Sequence, residues 1–150
     1  MDARIMNFEN SVRISRPVNK VFEYVTDFSN NARWQTDILE MEVTSGGQFG
    51  QGSTYRCVNR FMGQRIETEG LITEYEPDRR CSIRITAGPV IGTSSLCFEA
   101  VNGGTVFTTT GELDLTYFRL ARLLVKRKIN KQLINDMDKL KAILENGASY

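Results

Sequence analysis

Apolar and polar residues alternate with a period of two along most of the chain, from about Ile5 to Leu115. Such alternation is typical of β-strands that have one buried and one exposed face. Turn residues, among them Pro77-Asp78 and Asn102-Gly103-Gly104, separate the alternating segments at short intervals. Because consecutive strands joined by short turns run antiparallel, the pattern predicts an antiparallel meander of six to seven strands.

The spacing of apolar residues changes to steps of three and four in two regions. An apolar face at helical spacing follows Pro17 and predicts a short helix, and a second short helix or turn is expected from Ser29 to Trp34. The other region runs from about Tyr117 to Glu145 and predicts one long amphipathic helix. Its apolar stripe consists of Phe118, Ala121, Val125, Ile129, Leu133, Met137, Leu140 and Leu144.

This C-terminal helix is the only predicted element long enough, at about 40 Å, to cover the apolar face of the sheet. The fold class is therefore α+β, with a curved antiparallel sheet of six to seven strands wrapped around the long C-terminal helix and two short helices after strand one. A sheet bent around such a rod leaves space at one end, which predicts a cavity. The length of 150 residues fits one domain that spans residues 1–150.

The composition gives little reason to expect several kinds of site and partner. The chain has no histidine, which removes the commonest general base and the commonest metal ligand. A net charge of +1 gives no reason to expect a nucleic acid partner. No apolar run approaches the roughly 20 residues that span a bilayer. Cys57, Cys81 and Cys97 form no CxxC pair, so we expect reduced, partly buried thiols, a cytoplasmic location, and neither metal nor cofactor.

A more specific motif lies near the N-terminus. The segment Ile14–Asp27 (ISRPVNKVFEYVTD) runs through Pro17 into a Val-Phe helix, and Trp34 follows seven residues after Asp27. It resembles the opening signature of the SRPBCC (START/birch-pollen-allergen-like) superfamily, whose helix-grip fold has the predicted element order. The closing segment Leu140–Glu145 resembles the end of the last helix of that fold. Within the superfamily the chain is most similar to bacterial proteins labelled polyketide cyclase/dehydrase-like. The resemblance implies a hydrophobic cavity between sheet and long helix, usually without a cofactor.

Strand parity indicates which side chains line such a cavity, although the same residues also suit a filled core. Buried polar groups on the apolar parity need a hydrogen-bond partner, which a ligand can provide. The candidate ligand-binding residues are Trp34, Tyr55, Asn59, Phe61, Thr68, Ile72, Ile83, Ile85, Phe98, Phe107, Thr109, Tyr117, Ala121 and Val125.

We therefore expect the protein to bind a small hydrophobic or amphipathic ligand, such as a lipid, a polyketide or another aromatic compound. The alternative is a polyketide cyclase/dehydrase-like enzyme, in which a carboxylate acts as base and a tyrosine or arginine as donor. The acids of the strands mostly fall on the outer parity, and Glu74, on the inner parity, lies at a strand end. No catalytic residue is assigned, and binding is favoured over catalysis.

The first half of the C-terminal helix is basic, because residues 115–135 contain no acid and several cations. Leu120, Leu123 and Leu124 are interleaved with these cations. A basic amphipathic helix can lie on an anionic membrane surface or bind an acidic partner, whereas a solvated helix face is the simpler alternative. The sequence leaves the oligomeric state open. The cations that would make peripheral membrane contact are Arg119, Arg122, Lys126, Arg127, Lys128 and Lys131.

Overall fold

A long C-terminal helix lies on one face of a seven-stranded sheet in the computed structural model of the protein, which describes residues 4–146. A 3₁₀ turn at Phe28–Asn30 precedes the second helix, and another at Thr116–Ala121 precedes the third. The strands and helices in chain order are β1 (Ile5–Ile14), α1 (Val18–Thr26), α2 (Asn31–Trp34), β2 (Ile38–Val43), β3 (Thr54–Phe61), β4 (Gln64–Glu76), β5 (Arg80–Ala87), β6 (Ile91–Val101), β7 (Gly104–Asp114) and α3 (Arg122–Glu145).

The sheet is antiparallel throughout, in the order β1-β7-β6-β5-β4-β3-β2. Consecutive strands are neighbours from β2 to β7, and β1 closes the order beside β7. The inner face of the sheet is the one turned toward α3, and the opposite, outer face carries mostly polar side chains. This arrangement confirms the predicted helix-grip fold.

The core lies between the inner face and the apolar stripe of α3. On β7, Phe107 is fully buried and Leu113 is also buried, as their shared parity predicts. Within α3, the stripe residues Val125, Leu140 and Leu144 are fully buried. The period-two and period-3.6 patterns therefore meet at one apolar interface, which confirms the predicted parity of these elements.

Glu74 is an exception to the predicted parity of β4. The pairing of β4 with β5 shifts register between Ile72 and Glu74, so a β-bulge inserts one extra residue there. Ile72 is buried on the inner face, whereas the Glu74 carboxylate accepts a hydrogen bond from the Ser82 hydroxyl (2.9 Å) and lies 3.7 Å from Arg80. Alternation alone places Glu74 on the inner parity, but one inserted residue reverses the alternation, so its side chain is exposed on the outer face at the strand end.

The long helix begins later than its apolar pattern predicts, at Arg122 rather than near Tyr117. The Asp114 carboxylate accepts hydrogen bonds from the backbone N–H (2.8 Å) and the hydroxyl of Thr116. Phe118 then has a non-helical backbone (φ −105°, ψ 26°). Its ring packs edge-on against Phe61 with the centroids 5.5 Å apart. Local capping and this aromatic contact hold the segment in a 3₁₀ turn before the α-helix starts.

The cysteines are free thiols, of which Cys57 and Cys81 are buried and Cys97 is half-buried. This confirms the expectation of unpaired, partly buried cysteines. Burial raises the pKa of the Cys81 thiol to about 12, so that thiol stays protonated at neutral pH.

The two ends of the molecule differ in how α3 is attached. One end contains the β3–β4 turn, the β5–β6 loop and the 3₁₀ turn before α3, and we call it the α3-start end. At the other end, the backbone N–H of Ser15 donates to the Glu145 carboxylate (2.7 Å), and Arg16 donates to the Leu144 carbonyl (2.8 Å). These bonds fasten the last turn of α3 to the loop after β1. No helix in the part of the chain described here is long and apolar enough to cross a membrane.

Candidate functional site

A cavity of about 120 Å³ lies between the inner face of the sheet and α3. Its walls come from β1, β2, β5, β6 and β7, from the segment that contains α1 and α2, and from the middle of α3. Most of the lining is apolar, with Phe8, Ile83 and Leu96 on the sheet side and Leu133 and Met137 on the helix side. The polar part of the lining is smaller and comes from α2 with the residue after it, from α3, and from β6 and β7: Asn31, Gln35, Asp136, Ser94 and Thr109.

The space exists because small side chains occupy the inner face of β6 and β7 at mid-strand. Ser94 pairs with Gly111 across the two strands, and Thr109 follows on the same face. Towards the end of the sheet where α3 terminates, Phe98 pairs with Phe107, with ring centroids 5.1 Å apart, and fills the interior. The cavity therefore begins where the aromatic pair gives way to the small residues.

Three residues of the cavity lining each contain a buried polar atom without a partner. Asn31 Oδ1, Trp34 Nε1 and Thr109 Oγ1 are buried and have no hydrogen-bond partner among the described residues. The amide nitrogen of Asn31 donates to Gln35 Oε1 (2.8 Å) and lies 3.2 Å from Met41 Sδ, which fixes the amide. Leaving a buried polar group unpaired costs about 1–3 kcal/mol. Each of these atoms therefore needs a water molecule or a ligand group as its partner.

The helix contributes a carboxyl group to the same cavity. Asp136 is 6% exposed, and its Oδ1 accepts hydrogen bonds from the backbone N–H (2.8 Å) and the hydroxyl (2.6 Å) of Thr36. Gln132 Nε2 donates to the Thr36 carbonyl (2.9 Å), so α3 holds the α2–β2 connection at both sides of Thr36. Burial raises the pKa of Asp136, and the hydrogen bonds from Thr36 oppose that rise. A carboxyl group with a raised pKa is suited to proton exchange with a bound molecule.

Comparison with known families identifies the chain. A family model described as polyketide cyclase / dehydrase and lipid transport matches residues 6–145. The chain belongs to this family. The match confirms the resemblance carried by Ile14–Asp27 and Trp34. No curated protein matches the chain.

Solved structures share the fold of this polyketide cyclase/dehydrase family member. Protein TTHA0849 from Thermus thermophilus is 17% identical with a TM-score of 0.82, over 96% of this chain and 100% of that one. The Zhui aromatase/cyclase from Streptomyces sp. R1128 is 15% identical with a TM-score of 0.81, over 97% and 96%. The di-domain ARO/CYC BexL from the BE-7585A biosynthetic pathway is 16% identical with a TM-score of 0.75, over 96% of this chain and 51% of BexL. At these identities the similarity shows the fold alone.

Within this family member, Trp34, Ile83 and Thr109 are the predicted site residues that line the cavity. Ala121 and Val125, which were expected to close it, pack instead with Phe61 near the start of α3. Val125 lies about 12 Å along the helix from the cavity-lining Leu133. Of the other predicted residues, Tyr117 is exposed, Asn59 and Thr68 are half-buried on β3 and β4, and the following lie in the packed core: Tyr55, Ile72, Ile85, Phe98 and Phe107.

The polar lining residues that are absent from the predicted set are Asn31, Gln35, Ser94 and Asp136. Asp136 lies seven residues after Ile129 and four before Leu140, which places it on the buried apolar stripe of α3. An acidic residue on an apolar stripe is a feature from which Asp136 could have been found in the sequence. Ser94 is a small residue on the inner parity of β6, two positions before Leu96. Asn31 has no periodic signal, because α2 is only four residues long.

Proposed function

We propose that the protein binds a small, mainly apolar molecule with one polar end in the cavity between the sheet and α3. The observation that carries the proposal is that three lining residues of one mainly apolar cavity, Asn31, Trp34 and Thr109, each contain a buried polar atom without a partner among the described residues. Such a cavity with a few convergent polar groups is the usual form of a small-molecule site. The family description, which combines polyketide cyclases and dehydrases with lipid transport, supports a hydrophobic ligand.

The size of the cavity limits the ligand. An engineered cavity of about 150 Å³ holds benzene, and drug-sized ligands occupy about 300–1,000 Å³. At about 120 Å³, this cavity accommodates a single ring or a short chain. A fused polyketide or a complete acyl chain requires the walls to move apart. We therefore infer a one-ring compound, or the one-ring end of a larger molecule.

The polar groups favour a neutral hydroxyl on that ring. Trp34 Nε1 can only donate a hydrogen bond, Asn31 Oδ1 can only accept one, and the Thr109 hydroxyl can do both. A ligand hydroxyl can donate one hydrogen bond and accept two, so it can serve Asn31 as donor and both Trp34 and Thr109 as acceptor. The Asp136 carboxyl in the same lining disfavours an anionic ligand. A phenol or a cyclic alcohol is the best match.

We expect phenol to shift the indole N–H signal of Trp34 in ¹H–¹⁵N NMR spectra. Trp34 is the only tryptophan of the chain, so the signal needs no assignment. Thr109→Val removes the hydroxyl but keeps the shape, and it should weaken phenol binding about 5–10-fold, the equivalent of one hydrogen bond. Binding of toluene, which has no hydroxyl, should not weaken.

Thr108→Val is the matched control. Thr108 precedes Thr109 on β7, and its hydroxyl bonds Ser11 (2.8 Å) on the outer face, away from the cavity. The Thr108→Val variant should bind phenol with the same affinity as the wild type. The proposed site is wrong if neither phenol nor toluene, each added up to its solubility limit, shifts the indole signal. It is also wrong if Thr109→Val and Thr108→Val weaken phenol binding equally.

A second candidate function is proton transfer, favoured by the buried Asp136 carboxyl in the cavity lining. In the enolisation with which a cyclisation or dehydration begins, the Asp136 carboxylate would remove a proton from a carbon next to a carbonyl group, which leaves an enolate and a protonated Asp136. Trp34 Nε1–H would donate a hydrogen bond to the enolate oxygen that forms. This reaction needs no metal ion, because the charge develops on an oxygen that a fixed donor can stabilise.

Ethyl acetoacetate, a short β-keto ester, provides the test of this second function. In deuterated buffer, the wild type should accelerate exchange of the C2 protons at least about tenfold, in line with the usual effect of a positioned base. Asp136→Asn should lose the acceleration, because the amide cannot accept the proton. Exchange at the buffer rate with the wild type would leave binding as the only supported function.

A further inference from the structure

Four apolar side chains at the start of α3 are exposed to solvent. Leu120 is 96% exposed, Tyr117 68%, Leu123 62% and Leu124 56%. They occupy consecutive turns and lie away from the buried stripe that begins with Val125. Single exposed leucines are ordinary, whereas a contiguous group of this kind marks an interaction surface. We call this group the leucine patch.

Cations surround the leucine patch. Among residues 4–146, none of them forms an ion pair with a carboxylate. The first turn of α3 contains no acid and no side-chain cap, so the positive end of the helix dipole adds to their charge. The buried Nε of Arg122 also has no partner within this range. The cations are Arg119, Arg122, Lys126, Arg127, Lys128 and Lys131.

Leu123 and Leu124 share one exposed face of α3 with Arg127 and Lys128. Arg127 lies four residues after Leu123, and Lys128 lies four residues after Leu124, so each cation follows a leucine on the same side of the helix. The leucines are nearest the α3-start end of the molecule, where Met62, in the β3–β4 turn, is also 37% exposed. Apolar side chains thus point from one end of the molecule, and cations flank them along the helix.

We propose that this surface docks onto a lipid bilayer with anionic headgroups. The leucines would enter the boundary between headgroups and acyl chains, and the cations would contact the headgroups, as in interfacial amphipathic helices. A second copy of the chain is a poor occupant, because a two-fold interface would place the cations against the same cations. An acidic protein matches the charge but gives no reason for exposed leucines at the end of the molecule.

The docking surface is close to the proposed binding cavity. The cluster that contains Phe61, Phe118 and Val125 lies beneath the leucine patch. Phe8 and Leu133 pack against this cluster and also line the cavity. An apolar cluster therefore lies between the membrane-facing end and the cavity. Docking extends the proposed function to exchange of an apolar ligand with a membrane, but docking itself does not require the ligand.

Co-sedimentation with vesicles tests the docking. The protein should bind vesicles of phosphatidylcholine and phosphatidylserine but not vesicles of phosphatidylcholine alone, and added salt should weaken the binding. Arg127→Glu with Lys128→Glu should reduce binding at least about tenfold, from the loss of two headgroup contacts. Leu120→Ser with Leu124→Ser should reduce it to a similar extent at unchanged charge.

A control with the same change in charge is Lys20→Glu with Arg79→Glu. Both residues are exposed and lie away from the patch, in α1 and the β4–β5 turn. This variant should bind within about twofold of the wild type, because the two changed positions lie away from the docked surface and salt screens their charges from it. An equal loss in this control would show attraction by net charge alone and would overturn the proposal.

Other results would also overturn the docking proposal. The proposal is wrong if the wild type does not bind the vesicles that contain phosphatidylserine, or if the serine variant binds them as well as the wild type does. It is also wrong if the protein forms a concentration-dependent dimer that the glutamate variant abolishes. The phenol titration distinguishes failure of docking from failure of the cavity. A protein that binds phenol but no vesicles has the ligand site and lacks the membrane-docking surface. A protein that binds vesicles but no phenol has the docking surface and lacks the ligand site.

Discussion

Replacement of Phe107 by alanine is expected to lower the free energy of unfolding by about 3–5 kcal/mol. The Phe107 side chain is completely buried on β7. Its ring centroid lies 5.1 Å from that of Phe98 and 6.3 Å from that of Trp34. The truncation removes the apolar surface of the ring and leaves a void beside an existing cavity. Because Trp34 and Phe98 are themselves held by packing, we expect them to fill the void only partly.

Urea unfolding of the two variants Phe107→Ala and Val106→Ala measures this effect. Val106 precedes Phe107 on β7 but is half-buried on the outer face. Its truncation should cost less than about 1 kcal/mol, the range of strand propensity. The urea midpoint of Phe107→Ala should fall with little change in slope. Similar losses in the two variants would contradict the assignment of Phe107 to the interior between sheet and helix.

The parity of β7 could be predicted from the sequence because nothing interrupts its alternation. Phe107, Thr109 and Leu113 all lie on the inner face, as their even spacing requires. In β4 the same reasoning fails beyond Ile72, because the bulge there depends on how β5 pairs with β4 rather than on a local residue. Alternation alone therefore gives Glu74 the inner parity, although its side chain is exposed on the outer face. Alternation predicts faces only as far as the ladder remains regular.

The start of α3 shows a second limit of pattern reasoning. The apolar spacing continues through Phe118 without a break, so it predicts helix several residues before Arg122. The side chain of Asp114 and the contact between Phe118 and Phe61 decide the local backbone instead. The contact with Phe61 joins residues far apart in the sequence, and periodicity contains no information about it.

The position of the cavity could be predicted only in part. Strand parity correctly identified Ile83 and Thr109 as lining residues. On the helix, Val125 was expected to line the cavity, but Leu133 lines it instead. A cavity is the space that side chains fail to fill, so it depends on side-chain volumes from several elements at once. It also depends on how far α3 slides along the sheet. Hydrogen bonds from Thr36 to Asp136 help to fix that position, and they follow no sequence period.

Burial of Asp136 leads to a prediction about pH dependence. Burial raises its pKa in the folded protein above the ordinary value of 3.8, Asp37 acts in the same direction, and Thr36 and Lys139 oppose the rise. Between the two pKa values, the folded state holds a proton that the unfolded state has released. Stability contributed by this group is therefore complete below the ordinary pKa and is lost as the pH rises through the raised pKa.

Asp136→Asn should remove this loss of stability. The asparagine Oδ1 can still accept both hydrogen bonds from Thr36, but the side chain carries no charge to desolvate. We expect the variant to match the wild type at about pH 4 and to be more stable at about pH 7. The difference in unfolding free energy should grow by at most about 1.4 kcal/mol per pH unit, the limit for one proton.

Denaturant unfolding across this pH range provides the measurement, with two further variants. Asp138→Asn, at an exposed position two residues later on α3, should follow the wild type at every pH. Asp136→Ala should be less stable than Asp136→Asn throughout, by about 1–3 kcal/mol or more, because the N–H and hydroxyl of Thr36 lose their acceptor. A stability difference between Asp136→Asn and the wild type that does not change with pH would show that burial fails to control this carboxyl. Asp136 would then be a structural hydrogen-bond acceptor for Thr36, and the case for proton transfer in the cavity would be lost, whereas the hydroxyl site at Thr109 and Trp34 would be unaffected.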